Sequence, residues 1–328
     1  IDQFFFEKLT GQLKAQFEGT GSEIDTVIFN SEVTERQIEE TTQKLKAFGP
    51  TVVVIGKFDG VHTGHRALIE KAQRDAAALG PGIRTVVVTF DRHPMSVVAP
   101  GRCPVSIVGP QQKLRLLEAT GVDATLVLRF DEERAAQPAR EFVEDVLVRH
   151  LHARTVMVGG DFRFGRGGAG DVALLRGLGA ELGFTVDELR EVRTPGAARR
   201  VSSTWVREAL EAGDVATAAT LLGREPAVRG EVVHGLKRGR EMGFPTANLS
   251  PDAEGLLPAD GVYAGWLVDL GPGGEAHGGA ARTYPAAISV GDNPTFFDVP
   301  VRQVEAHVID VEQLDLYGHT VEVRFASR

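Results

Sequence analysis

From Thr51 the chain alternates short β-branched runs with stretches of helical spacing, and near residue 226 that alternation gives way to a period of two. One layered core does not serve both patterns, so the switch predicts two domains of different class. The apolar runs at 52–55, 85–90, 124–130, 155–158 and 184–189 are separated by helical stretches at 67–79, 111–120, 139–151 and 172–182. Runs buried on both faces and separated by helices predict a parallel, doubly wound α/β sheet whose ligand lies beyond the carboxyl ends of its strands. Beyond residue 226 the runs at 228–233, 262–267, 285–290, 301–309 and 320–325 are joined by Gly-, Pro- and Asp-rich turns with no long helix. They predict a small antiparallel β-barrel or sandwich. A length of 328 residues also exceeds what one core usually spans.

Residues 1–49 differ from the rest. They hold four lysines and one arginine, against four lysines and 27 arginines afterwards. The segment reads as an extension of undetermined origin, with helical spacing at Val33, Ile38 and Leu45, and it carries no assigned chemistry. The expected domains are therefore 50–223 and 224–328.

Composition narrows the function. A net charge of −9 argues against a nucleic-acid surface, so an anionic ligand must meet a local basic pocket. No apolar run approaches the ~20 residues needed to cross a bilayer, and the first residues lack the basic-then-apolar order of a signal peptide. A cytoplasmic protein without membrane partners is expected. The single cysteine, Cys103, excludes an intramolecular disulfide and a cysteine-based zinc site. Nothing in the sequence sets an oligomeric state.

The segment Gly56-Lys57-Phe58-Asp59-Gly60-Val61-His62-Thr63-Gly64-His65 joins the first strand directly to a helix expected to open near His65. Glycines there allow tight turns, and a helix start offers backbone N–H groups and a positive dipole end to an anion. His62 and His65, three residues apart, suit stabilisation of charge growing on a phosphoryl group. The bland alternative is a turn carrying two satisfied histidines, and the ten-residue context weighs against it. Asp91-Arg92-His93-Pro94 follows the second strand and reads equally as a substrate contact or as a turn. The loop from Gly160 through Asp161, Phe162, Arg163 and Phe164 to Gly165 suits a nucleobase or sugar. Arg200 with Ser202, Ser203 and Thr204 at a helix start suits an anion. Taken singly, each of these last two is more simply a loop or an N-cap.

In the second domain, His234 to Gly243 forms a glycine-rich basic loop that also reads as an ordinary surface loop. Its glycines would let backbone amides approach a polyphosphate, and Thr246 and Asn248 just beyond it offer oxygens suited to Mg²⁺. Glu305, inside a strand, is either a general base toward a hydroxyl or a solvent-facing acid.

Together the segments GKFDGVHTGH, TFDRHP, VGGDFRFG, RRVSSTWVR, GLKRGREMGFPTANL, LPADGVYAG, ISVGDNPTF, VEAHVID and DLYGHTVEV resemble, in order, the bifunctional bacterial riboflavin kinase/FAD synthetase family. The resemblance implies a nucleotidyltransferase-type domain that adenylylates FMN and a six-stranded flavokinase barrel that phosphorylates riboflavin. ATP is the co-substrate and Mg²⁺ the metal, with riboflavin, FMN and FAD as the other small-molecule partners. It implies ATP-phosphate roles for His62 and His65, and ATP contacts for Gly56, Phe58, Asp59, Gly64, Asp161, Arg200, Ser202, Ser203 and Arg207. In the kinase it implies phosphate contacts from Gly235, Lys237, Gly239, Arg240 and Gly243, metal and ATP contacts from Thr246 and Asn248, and Glu305 as base.

Three departures from the family pattern stand out. The chain stops at Arg328 where the family usually continues into a further strand and a helix. Asp292 stands where the family commonly has threonine, and residues 1–49 replace a short N-terminus. A monofunctional FMN adenylyltransferase with an inactive barrel and a non-catalytic flavin-binding or regulatory protein are the competing readings. The intact His62, His65, Thr246, Asn248 and Glu305 oppose the second. A pantetheine-phosphate or nicotinate adenylyltransferase shares the His-x-Gly-His device but leaves the barrel unexplained.

Overall fold

The computed structural model describes residues 26–29, 49–189, 199–233, 246–274, 281–293, 301–309, 311 and 314–328. Six parallel strands form the first sheet in the order β1-β4-β3-β2-β5-β6. They are β1 (Thr26–Phe29), β2 (Thr51–Ile55), β3 (Arg84–Phe90), β4 (Ala124–Leu128), β5 (Ala153–Gly159) and β6 (Thr185–Leu189). The five strands expected from apolar runs are all present. Strand β2 sits between β3 and β5, and this is where the chain reverses its direction of winding. Every residue of β2 and β4 is buried, as strands covered on both faces require.

The sixth strand was not expected. Thr26–Phe29, inside the segment read as an extension, pairs in parallel with β4 at the sheet edge. The helical reading of residues 31–48 lies outside the described residues.

Helix α1 (Thr63–Leu79) opens two residues ahead of His65 and buries Leu68, Ile69, Ala72 and Ala76 at helical spacing. Helices α2 (Pro110–Glu118) and α4 (Val172–Leu182) fall on their predicted stretches. Between them, α3 (Ala139–Phe142) continues as a π-type helix over Val143–His150, a widening that apolar periodicity does not register. The sheet's core gathers Val53, Ile55, Val88, Leu126, Leu147, Val156 and Leu175.

The second sheet is a closed barrel, β10-β11-β8-β7-β12-β9, whose neighbouring strands are all antiparallel. Its strands are β7 (Ala227–Val233), β8 (Thr246–Leu249), β9 (Gly261–Pro272), β10 (Arg282–Asn293), β11 (Val301–Val308) and β12 (His319–Ser327). Strand β8 was not among the expected runs: four residues after a proline are too short to show a period, yet they pair with both β7 and β11. Asp292 lies in β10 opposite Arg302. Inward residues such as Leu267, Ile288, Val304, Ala306, Val321, Val323 and Phe325 share one core with α5 (Ser203–Glu211) and α6 (Val215–Leu222) through Val206, Leu210 and Leu221.

Compact packing does not follow chain order. One unit comprises residues 1–57, 68–101 and 117–189; the other comprises 58–67, 102–116 and 190–328. The His-x-Gly-His turn thus packs in the same unit as α5, α6 and the barrel.

Candidate active site

The turn after β2 is held in an unusual backbone conformation. Phe58, Gly60 and Val61 have φ of 50°, 82° and 40°. Positive φ suits glycine but strains a phenylalanine and still more a β-branched valine, so the surroundings must impose it. Phe58 and Val61 are fully buried, and the Val61 N–H donates to the Phe58 carbonyl at 3.1 Å. A side chain at Gly60 would meet Ile107 at 3.1 Å, so both conformation and space require glycine there.

His62 ends this turn and caps α1. Its Nδ1 accepts the His65 N–H at 3.2 Å, while its carbonyl accepts the first intrahelical bond, from the Arg66 N–H at 3.0 Å. The His62 and His65 rings stack at 3.6 Å with 12° between their planes, and Phe58 leans on His65 at 5.0 Å. Burial, reinforced by the Arg224 cation, brings His62 down to about 4 despite an opposing hydrogen bond to its own backbone. It is therefore neutral near pH 7. With Nδ1 accepting, the proton sits on Nε2, and His62 offers a neutral N–H donor. Gly64 leaves room for this pair, since a Cβ there would lie 3.2 Å from the His62 ring.

Asp59 and Arg207 both hold this turn. The Asp59 carboxylate accepts the Ile107 N–H at 2.8 Å and pairs with the Arg207 guanidinium, whose Nε donates to the Val105 carbonyl at 2.7 Å. Burial pushes the Asp59 carboxyl up, opposed chiefly by Arg207. Ser203 donates from Oγ to the Asp59 carbonyl at 2.9 Å, and Ser202 caps α5 by accepting the Trp205 N–H at 3.2 Å. The N-cap reading of Ser202 holds, while Ser203 ties α5 to the turn. Arg200 lies exposed just ahead of them.

In the other unit, Gly56 extends β2 by donating to the Val88 carbonyl at 3.1 Å. Asp161 is exposed in a tight turn after β5, closed by the Phe162 N–H on the Gly159 carbonyl at 3.0 Å. Phe162 and Phe164 stack beside it at 5.4 Å. The ends of β2, β3 and β5 lie side by side, as the pattern predicted. Asp91 resolves as a turn residue: it accepts the Phe130 N–H at 2.9 Å and pairs with Arg92. His93 accepts the Met95 N–H at 3.2 Å.

On the barrel, pairing gathers the kinase candidates. Glu305 lies opposite Asn248 and His307 opposite Thr246, with Ser289 on the other side of Glu305. Ala247, Leu249, Val304 and Ala306 are buried in the barrel, so Thr246, Asn248, Glu305 and His307 alternate onto its outer face. Asn248 turns its amide nitrogen toward the Thr246 carbonyl at 3.4 Å, which leaves Oδ1 on the opposite side of the amide. No group of three or more His, Cys, Asp or Glu side chains that could hold a metal occurs among the described residues. The neutral oxygens of Thr246 and Asn248 fit a hard cation that takes its remaining ligands from phosphate and water. Gly235, Lys237, Gly239, Arg240 and Gly243 lie outside the described residues.

Arg224 went unnoticed in the sequence. It donates to the Gly60 carbonyl at 2.5 Å and to the Val61 carbonyl at 3.2 Å, and burial, aided by the Arg66 cation, lowers it to about 10. Its only sequence signal is a position just past a helix-ending glycine.

A histidine-bearing turn between a parallel strand and a helix, followed by a barrel with hydroxyl, amide and carboxylate side by side, defines a two-domain transferase acting on phosphoryl and nucleotidyl groups. Residues 44–205 match the FAD synthetase family model and residues 222–328 the riboflavin kinase model. The chain is 39% identical to a bifunctional riboflavin kinase/FMN adenylyltransferase of Escherichia coli, across 83% of this chain and 82% of that one. Proteins of the same description from Haemophilus influenzae and Listeria monocytogenes are 35% and 34% identical; 84% of this chain is covered in each case, with 84% and 82% of theirs. A crystal structure titled as a macrolide-efflux protein from Streptococcus pneumoniae superposes with a TM-score of 0.73 at 29% identity, covering 93% of this chain and 91% of that one. Among the described residues no helix is long and apolar enough to cross a membrane.

The chain belongs to the bifunctional riboflavin kinase/FMN adenylyltransferase family.

Proposed function

We propose that this chain converts riboflavin to FMN and FMN to FAD, each step consuming ATP. The observation that carries this reading is the presence, on one chain, of both the capped His62/His65 turn and the Thr246–Asn248–Glu305 face of the barrel. A monofunctional adenylyltransferase does not account for the second.

In adenylyl transfer an FMN phosphate oxygen attacks the α-phosphorus of ATP, the bond to the bridging oxygen breaks and pyrophosphate leaves. No covalent enzyme intermediate is required. The protein contributes alignment and charge stabilisation, and alignment alone is worth on the order of 7–11 kcal/mol. His62 supplies a neutral Nε2–H, which strengthens its bond as charge grows on a phosphate oxygen. His65, stacked on it, serves the same phosphates, with Arg200 as a further ATP contact. Asp59, Arg207 and Ser203 act by holding the turn, because their polar atoms are engaged with one another and with backbone.

In the kinase step Glu305 takes the proton of the riboflavin 5′-hydroxyl as the hydroxyl oxygen attacks the γ-phosphorus of ATP in line, the bond from that phosphorus to the β,γ-bridging oxygen breaks, and ADP leaves. Thr246 and Asn248 would hold Mg²⁺, which supplies charge neutralisation on the phosphates.

The test is chromatography of products after incubating the purified chain with Mg-ATP and either riboflavin or FMN. The proposal expects FMN and FAD from riboflavin, and FAD from FMN. FAD from supplied FMN alone would remove the kinase assignment, and no product in either incubation would leave a binding protein.

A further inference from the structure

We propose that Arg224 is a positioning residue for adenylyl transfer, its guanidinium setting the backbone of the turn that carries His62. The inference rests on the adenylyltransferase reading above. Arg224 lies beyond the residues matching the FAD synthetase model and within those matching the riboflavin kinase model. Its bonds nevertheless run back across the chain to the Gly60 carbonyl at 2.5 Å and the Val61 carbonyl at 3.2 Å. One planar fork binding two consecutive carbonyls fixes two peptide planes at once, which a lysine ammonium does not do.

Those two planes belong to the strained part of the turn. Gly60 and Val61 sit at φ 82° and 40°, and a valine there is not self-stabilising. Because each peptide is planar and trans, holding the Gly60 and Val61 carbonyls toward Arg224 sends the Val61 and His62 N–H groups to the opposite side. The Val61 N–H meets the Phe58 carbonyl there and closes the turn. His62 leaves the turn with its ring directed to cap α1.

The clamp has two more contacts. Thr63 donates from Oγ1 to the Leu221 carbonyl at 2.9 Å, and Gly223, at φ 68°, ends α6 so close that a Cβ would meet Thr63 at 3.0 Å. The end of α6 is thus seated on the start of α1, with Arg224 next in the chain reaching under the turn. Arg224 touches no reacting group, so its effect on chemistry passes through His62.

The test compares the unsubstituted chain with Arg224→Ala and Arg224→Lys, measuring FAD from FMN and Mg-ATP, FMN from riboflavin and Mg-ATP, and the thermal midpoint. The expected result for Arg224→Ala is a fall of about 100-fold in kcat for FAD formation with the KM for ATP little changed, the size expected when a reacting group is misplaced by about 1 Å. Riboflavin phosphorylation is expected to persist, and low, non-denaturing guanidinium to restore part of the FAD rate by filling the vacated site. Arg224→Lys falls between, and carries the test if the alanine variant does not fold. An unchanged kcat in either variant overturns the proposal, as does a loss that guanidinium cannot rescue and that the kinase rate shares equally. Absence of FAD formation by the unsubstituted chain instead overturns the adenylyltransferase reading itself, and this inference with it.

Discussion

The Asp59 carboxylate and the Arg207 guanidinium are paired almost out of water, 148 residues apart in sequence. Two side chains that the motif alone would assign to ATP thus also brace the turn. Asp59 also holds the Ile107 N–H, and Arg207 the Val105 carbonyl, so the pair ties the turn to the loop around residue 106 and to α5. A half-removed pair is worse than none, because the surviving charge stays buried.

Asp59→Asn leaves Arg207 buried without its counter-ion, and the unfolding free energy should fall by about 3–5 kcal/mol. Chemical denaturation measures this directly. A loss below about 1 kcal/mol, the value of an exposed pair, would mean that water screens the pair and that Asp59 is free to meet ligand.

His62 gives the turn a pH dependence of known sign. Its folded value of about 4 lies below the ordinary 6.5, so the folded state binds fewer protons there. The stabilisation is present above pH 6.5 and is lost as pH falls toward 4, the loss growing to on the order of 3 kcal/mol once pH is below both values. Denaturation of the unsubstituted chain and of His62→Asn between pH 7.5 and pH 4.5 should show the unsubstituted chain losing stability faster. Parallel curves would contradict the buried, neutral assignment.

Gly64→Ala tests the space around the stacked rings. The added methyl would press on the His62 ring at 3.2 Å, and that ring is backed by His65 at 3.6 Å. FAD formation should drop by roughly tenfold, less than the full cost of a 1 Å misplacement, while riboflavin phosphorylation holds. Equal activity in the variant would show that the rings move freely.

Sequence patterns reached the architecture because burial writes itself into local chemistry. The fully buried β2 reads as an apolar run, and β9 and β12 read as alternation because one face of each lines the barrel core. Strand β1 was missed because four residues in a segment of unlike composition offer no period. Strand β8 was missed because two of its four residues, Thr246 and Asn248, are polar and leave only Ala247 and Leu249 to mark a buried face. At the site, the motif located His62 and His65 but not the state of either ring. The strain at Phe58 and Val61 is a backbone property without a composition signal. Arg224 reaches its partner across 164 residues, and no local spacing reports such a contact.

The most direct measurement is product formation by two single variants, His65→Ala and Glu305→Gln, each incubated with Mg-ATP and either riboflavin or FMN. His65→Ala should make FMN from riboflavin yet no FAD from either flavin. Glu305→Gln should make FAD from supplied FMN yet no FMN from riboflavin. If either substitution abolished both products in a chain that remains folded, the account of two separate catalytic sites would be contradicted.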